Sequence, residues 1–178
     1  MEHLFRLRRA QILAWGSLRP LAGLGTSRRV EAQAVMAEAQ DQMAADPIGE
    51  QGGRFGLDQP ELHLHLAEVS LQFGDHSTAR THALASQAAK TIGGPGWAAA
   101  TLAQARAEAA RGHRSDAAAL AVEVLDTIPA PAIRETSWAR LRDLLTDPGP
   151  QARDLRERIR DLPALVPVGQ ISDEPNGH

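Results

Sequence analysis

The sequence predicts an all-α protein, and three observations support that fold class. Ala is the commonest residue, whereas aromatic residues make up 3% of the chain and Tyr is absent. Helices favour Ala, Leu, Arg, Gln and Glu, whereas β-sheets favour β-branched and aromatic residues. Apolar residues recur at helical spacing in segments of about 12 to 18 residues, which Gly, Pro, Asp and Ser divide. A chain of 178 residues is long enough to bury a core without disulfide or metal support.

This spacing predicts eight helices, each justified by its own apolar positions. They are expected near residues 3–19, 27–45, 60–73, 77–92, 97–111, 115–128, 131–146 and 150–162. The sixth has the clearest amphipathic pattern. Its apolar face comprises Ala117, Ala121, Val124, Leu125 and Ile128.

Helix boundaries are predicted from capping chemistry. Ser77 and Ser115 stand where a side-chain oxygen can accept hydrogen bonds from the free N–H groups of a helix start. Pro150 suits the first turn of a helix, where its missing N–H costs nothing. Gly74 and Gly112 stand where the preceding helices must end, because Gly tolerates the left-handed conformation of a C-terminal cap.

The segments form one helical domain, expected over residues 1–163. Two loops interrupt it: a Gly-rich stretch at 46–59 and a tight Gly-Gly-Pro-Gly loop at 93–96. Residues 164–178 have no periodic pattern, so a flexible tail is expected there.

Charge is unevenly distributed along the chain. The formal net charge is −3, yet the first thirty residues carry six Arg against Glu2 alone, which leaves −8 for the remainder. Such polarity suggests an interaction surface near the N-terminus. No apolar run approaches the roughly 18 to 20 residues of a membrane span. The absence of Cys suits a reducing compartment, so we expect a cytoplasmic protein that does not enter membranes.

An internal repeat relates the central helices. Gly74 and Ala79 recur as Gly112 and Ala117 at one common offset, and Pro129 closes the second unit. Gly allows a tight turn between two helices, and the small Ala one turn later lets their axes approach closely. The offset between the two glycines is longer than a repeat unit of about 34 residues. The insertion at 93–96 accounts for the extra residues.

This unit resembles a degenerate tetratricopeptide repeat. Further features follow in order from Met43 to Leu162, among them Leu71-Gln72-Phe73-Gly74-Asp75, Leu125-Asp126-Thr127-Ile128-Pro129 and Ala152-Arg153-Asp154-Leu155. Their order is similar to the tetratricopeptide-repeat sensor region of bacterial helix-turn-helix transcriptional regulators of the high-GC Gram-positive type. The resemblance implies a right-handed solenoid of about four antiparallel helical hairpins, without the N-terminal DNA-binding domain. Its implied ligand is a protein or a short peptide.

Stacked helical hairpins bind partners on the concave side, which the first helix of each pair lines. Counting back from the turn glycines predicts a groove for a peptide or protein. Its candidate residues are Glu68, Gln72, Arg106, Leu64 and Leu102. The alternative is that they are ordinary surface or inter-repeat residues.

Arginines near the N-terminus form a second candidate site. Arg6, Arg8, Arg9, Arg28 and Arg29 could contact phosphates or an acidic partner. The segment 21–30 is also open to interpretation as the turn of a helix-turn-helix, but its small residues are spaced one position too closely, which favours a repeat turn.

Catalytic and metal-binding patterns are missing from the sequence. There is no Gly-x-Ser-x-Gly, no His-Glu-x-x-His and no phosphate-binding Gly-x-x-x-x-Gly-Lys motif. His63 and His65 are two positions apart and would point to opposite sides of a helix, and His76 and His82 show no better pattern. We therefore expect no enzyme activity, no cofactor and no metal site.

The sequence favours a non-enzymatic binding module, the sensor part of a transcriptional regulator. Two alternatives remain: a regulator that binds DNA through its Arg-rich N-terminal helices, and a truncated regulator without a function of its own. The favoured hypothesis allows DNA contact only weakly or through a partner. A homodimer is compatible with it.

Overall fold

The computed structural model describes residues 29–45, 58–146 and 149–160. Within these ranges the protein is all-helical, with no β-strand, which confirms the predicted fold class at that level. The α-helices are α1 (Arg29–Ala45), α2 (Gln59–Gln72), α3 (His76–Ala88), α4 (Pro95–Ala110), α5 (Arg114–Thr127), α6 (Glu135–Leu144) and α7 (Pro150–Arg160). The predicted helix at 3–19, most of the loop at 46–59 and the tail at 164–178 lie outside the described residues.

Several predicted boundaries are confirmed. Gly74 and Gly112 follow α2 and α4 with φ angles of 73° and 89°, a left-handed conformation that costs an L-residue about 1–2 kcal/mol. Pro150 is the first residue of α7. Asp58 caps α2 by accepting a hydrogen bond from the Glu61 N–H at 2.7 Å.

The predicted caps Ser77 and Ser115 are wrong. Asp75 is the N-cap of α3 and accepts from the Thr78 N–H at 3.1 Å. His113 precedes α5 and makes no side-chain capping bond. Both helices begin before the serines, so Ser77 and Ser115 lie inside the first turn. A capping residue must precede that turn, so their hydroxyls do not cap the helix.

Three helix boundaries also differ from expectation. The helix expected from residue 131 begins only at Glu135, because Pro131 belongs to a short 3-10 turn and Ile133 then has extended backbone. Helix α4 begins inside the expected 93–96 loop, because Pro95 suits a first helical position. Helix α3 ends at Ala88 rather than near Ile92.

Most neighbouring helices in the chain pack against each other, and three pairs of non-consecutive helices pack as well. Short turns join α2 to α3 and α4 to α5, so each pair forms a helical hairpin. Helix α4 also packs against α2 and α6, and α5 packs against α7. The first helices of successive hairpins therefore lie side by side.

The core changes in character along this arrangement. Between α2, α3 and α4 it consists mainly of small side chains, including Ala67, Ala83, Ala100 and Ala103, each fully buried. Between α4 and α7 it contains larger side chains, including Trp97, Trp138 and Leu141. Small side chains let the first pair of helices approach α4 closely.

Candidate functional site

Four charged side chains cross α2, α4 and α6 on one face, and we call them the charged row: Glu68, Arg106, Arg140 and Asp143. The carboxylate of Glu68 on α2 bridges two guanidinium groups. Its Oε2 accepts from Arg106 Nη1 at 2.6 Å, and its Oε1 accepts from Arg140 Nε at 2.6 Å. Arg106 also pairs through Nε with Asp143 Oδ2 at 3.1 Å. The row thus links α2 and α4, the first helices of two successive hairpins, to α6.

Repeat register explains why these side chains meet. Arg106 follows Glu68 at the same offset that separates the two turn glycines. Arg140 follows Arg106 by 34 residues. The residue after each of the three is buried in the core: Val69, Ala107 and Leu141. Equivalent positions on α2, α4 and α6 therefore present the same edge of each helix to the same face.

The electrostatics of the row centre on Glu68. Burial alone would raise the pKa of this carboxyl, but the Coulombic attraction of Arg140 and Arg106, with their hydrogen bonds, outweighs that effect and lowers the pKa. The Glu68 side chain is 21% exposed, whereas that of Asp143 is 58% exposed. Asp143 is therefore the member of the row that is most open to solvent, whereas Glu68 is largely covered.

The structure brings together only part of the predicted groove. Glu68 and Arg106 meet directly, and Gln72 is exposed one helical turn after Glu68. Leu64 and Leu102 are 5% and 0% exposed and pack inside the core, so their predicted exposure to a groove is wrong. Each lies one turn before its charged neighbour, on the part of the helix that faces the adjacent helices.

Arg140 and Asp143 are absent from the sequence-based candidates. The offset between the two turn glycines, applied from Arg106, reaches Leu144, so the repeat indicates Arg140 only if a shorter unit of about 34 residues is used. Asp143 has no such signal. Its place in the row depends on how closely α6 packs against α4.

A second ionic cluster lies at the α4–α5 turn, around Glu108. This side chain is 6% exposed and pairs with Arg80 of α3, with Arg111 at 2.9 Å and with His113 Nδ1 at 2.7 Å. Burial favours the neutral carboxyl, but hydrogen bonds from His113 and Arg80 and the nearby Arg111 charge outweigh it and lower the pKa of Glu108. The cluster fastens the end of α4 to α3.

Glu108, His113 and Asp116 also place three metal-ligating atoms within 4.8 Å of one another. The candidate residues predicted from the sequence do not include this group. The guanidinium groups of Arg80 and Arg111 already contact the Glu108 carboxylate, and their positive charge opposes a cation there.

A pair of histidines joins α2 to α3. His63 Nδ1 and His82 Nδ1 are 3.0 Å apart, with ring centroids 5.2 Å apart and ring planes tilted by 31°. Burial lowers the pKa of both rings, and for His82 the neighbouring His63 lowers it further while Asp75 opposes the shift. No pattern in the sequence indicated this contact between two different helices.

The comparisons with known proteins add no name to this geometry. No family model, curated protein or solved structure matches the chain.

The N-terminal candidate site lies largely outside the described residues. Arg6, Arg8, Arg9 and Arg28 precede them, and Arg29 is the first residue of α1. Phosphate contact by these arginines stays a prediction. Within the described ranges, no helix is both long and apolar enough to cross a membrane.

Proposed function

We propose that this chain is a non-enzymatic module that binds an extended protein segment or short peptide across α2, α4 and α6. The observation that carries the proposal is the charged row. Glu68, Arg106 and Arg140 place charges along one face where α4 packs against both α2 and α6. Helical-repeat proteins bind extended partners along such a face.

The chemistry of the row suggests what the ligand offers. Its two carboxylates and two guanidinium groups give the row no net charge, so the row does not attract a ligand through net charge. A ligand binds more favourably when one of its own groups replaces a member of an existing ion pair. Asp143 is the most exposed member, and a ligand carboxylate in its place would pair with Arg106. Gln72 beside the row can hydrogen-bond to a peptide backbone. We propose a peptide with at least one acidic side chain.

The wider proposal is a tetratricopeptide-like, right-handed solenoid that acts as the sensor part of a cytoplasmic transcriptional regulator. It is supported by the resemblance over Met43 to Leu162, by the equivalent positions of Glu68, Arg106 and Arg140 in successive units, and by the packing of α4 against both α2 and α6.

The test is selection of a displayed random-peptide library on the immobilised full chain, followed by affinity measurement. We expect enriched peptides to share an acidic residue. Gln72→Arg and Asp143→Lys, both exposed changes on the proposed face, should strengthen binding of acidic peptides by about tenfold or more, because both add positive charge and the second also removes the carboxylate that competes for Arg106. Ala119→Arg on α5 is the matched control, because it adds the same charge to an exposed helical position elsewhere, and it should leave affinity unchanged.

Two outcomes would refute this assignment. One is a selection that enriches no sequence; the other is an equal change of affinity in the Ala119→Arg control. DNA binding is tested separately by mobility shift at low ionic strength. Salt-sensitive DNA affinity that disappears in an Arg6, Arg8 and Arg9 triple-alanine variant would favour the DNA-binding alternative.

A further inference from the structure

We propose that His63 and His82 form a site for one divalent transition-metal ion, held between α2 and α3. Their Nδ1 atoms lie 3.0 Å apart on two helices that pack directly against each other. Imidazole nitrogen is a ligand for Zn²⁺, Cu²⁺ and Ni²⁺. The site is separate from the charged row and does not depend on the proposed peptide binding.

The distance between the two nitrogens favours a particular coordination geometry. With metal–nitrogen bonds of about 2.0–2.1 Å, a 3.0 Å separation corresponds to a nitrogen–metal–nitrogen angle of about 90°. Adjacent ligands of a square-planar or octahedral ion subtend that angle. A tetrahedral ion needs a separation of about 3.3 Å for the same bond lengths. Cu²⁺ and Ni²⁺ commonly adopt such geometries, and Ni²⁺ is the ion used in the test below.

The protonation state of the rings also suits a metal. Burial lowers the pKa of both histidines, so neutral imidazoles are favoured at neutral pH, and a metal ligand must be neutral. In the metal-free pair one Nδ1–H donates to the other Nδ1. Metal binding requires that proton to leave Nδ1, and its transfer to Nε2 of the same ring conserves the proton count.

The partial exposure of both rings defines what the site can do. His63 and His82 are half-buried, so an ion can enter from solvent and keep positions for water or for a ligand atom of a partner. Because one ligand lies on each helix, the bound ion would tie α2 to α3 and stabilise the hairpin that carries Glu68.

The Glu108 cluster provides the control. Glu108, His113 and Asp116 offer more donor atoms, but Arg80 and Arg111 neutralise the buried carboxylate. If the number of donor atoms mattered more than the local charge, the ion would bind at the Glu108 cluster instead. Replacing His113 therefore separates the two sites.

The experiment is calorimetric titration of the full chain with Ni²⁺ at neutral pH. Every protein carries His3→Gln and His178→Gln, because these two histidines lie outside the described residues and can bind metal independently. We expect one Ni²⁺ per chain. Loss of a residue that only supports a metal ligand typically weakens metal binding by about 10- to 100-fold. His63→Gln and His82→Gln each remove a ligand itself, so each should weaken Ni²⁺ binding by more than that. His113→Gln should bind as the parent does.

A second measurement keeps the test independent of variant folding. In the parent chain, paramagnetic Ni²⁺ should broaden the ring-proton NMR signals of His63 and His82 before those of His65, His76 and His113. Circular dichroism establishes that each variant is helical. The proposal is overturned if Ni²⁺ does not bind, if His113→Gln abolishes binding, or if other histidine signals broaden first.

Discussion

Glu68 shows how much a single side chain contributes when it is held between two helices. Its carboxylate receives hydrogen bonds from Arg106 and Arg140, and each oxygen serves a different helix. Charge-assisted hydrogen bonds of this kind are short and stronger than neutral ones. Removing the carboxylate leaves two partly buried guanidinium groups without their shared partner.

Glu68→Gln should therefore destabilise the fold. We expect the free energy of unfolding, measured by urea denaturation, to fall by about 1–3 kcal/mol. Glu135→Gln is the control, because the Glu135–Arg142 pair lies within one helix and the Glu135 side chain is 77% exposed; it should cost no more than about 0.5 kcal/mol. Equal losses in the two variants would show that the charged row is no stronger than a surface ion pair.

Acid should destabilise the protein through Glu68 and Glu108. The pKa of each carboxyl is lower in the folded protein than its ordinary value, so their stabilisation is complete above the unfolded pKa. It is lost as pH falls through the lower, folded pKa, because the unfolded chain takes up protons first. Urea denaturation from about pH 7 to pH 3 should show unfolding free energy falling below about pH 5. In Glu68→Gln this fall should be smaller, and an identical profile would contradict the assignment.

At the scale of the helix, boundaries depend on which polar residue reaches the free N–H groups first. Asp75 lies immediately before α3 and accepts from the Thr78 N–H, whereas Ser77 is already inside the first turn. Both turn glycines and Pro150 were predictable from the sequence, because the backbone conformations that Gly permits and Pro imposes do not depend on neighbouring residues. Prediction failed at Ser77 and Ser115, because several nearby polar residues can cap and only the actual helix start decides among them.

Asp75→Ala should consequently destabilise α3 while Ser77→Ala does not. Loss of an N-cap carboxylate is expected to lower the thermal midpoint and cost about 1 kcal/mol. Ser77→Ala should change stability by no more than about 0.5 kcal/mol. Thermal denaturation followed by circular dichroism measures both effects. A larger loss of stability in Ser77→Ala than in Asp75→Ala would show that Ser77 is the cap.

At the scale of the whole molecule, alanine has a packing role that composition alone did not locate. Ala79 and Ala117, the repeat positions predicted to lie where helices touch, are 0% and 3% exposed. Around α4 the alanines of three helices meet, including Ala83 and Ala103. Helix α4 packs against α2, α3, α5 and α6, so its small side chains fix the distances between all of them.

Ala103→Leu tests this close packing. Added methyl groups in a filled core force neighbouring side chains and helices apart, and we expect a loss of about 1–3 kcal/mol in the free energy of unfolding. Ala119→Leu makes the same change at an exposed position of α5 and should alter stability by no more than about 0.5 kcal/mol. If Ala103→Leu were neutral, the alanine cluster would not set the helix spacing.

Local chemistry in the sequence determined the helical class, the approximate helix positions and the turns at Gly74 and Gly112, because periodicity and backbone restriction act over a few residues. It also placed Glu68 and Arg106 on one face, since a repeat transfers register from one hairpin to the next. Only the tertiary structure decided that Leu64 and Leu102 are buried, that Asp143 completes the charged row, and that His63 meets His82. Those outcomes depend on the distance and rotation between helices, which are set by all of their packed side chains together.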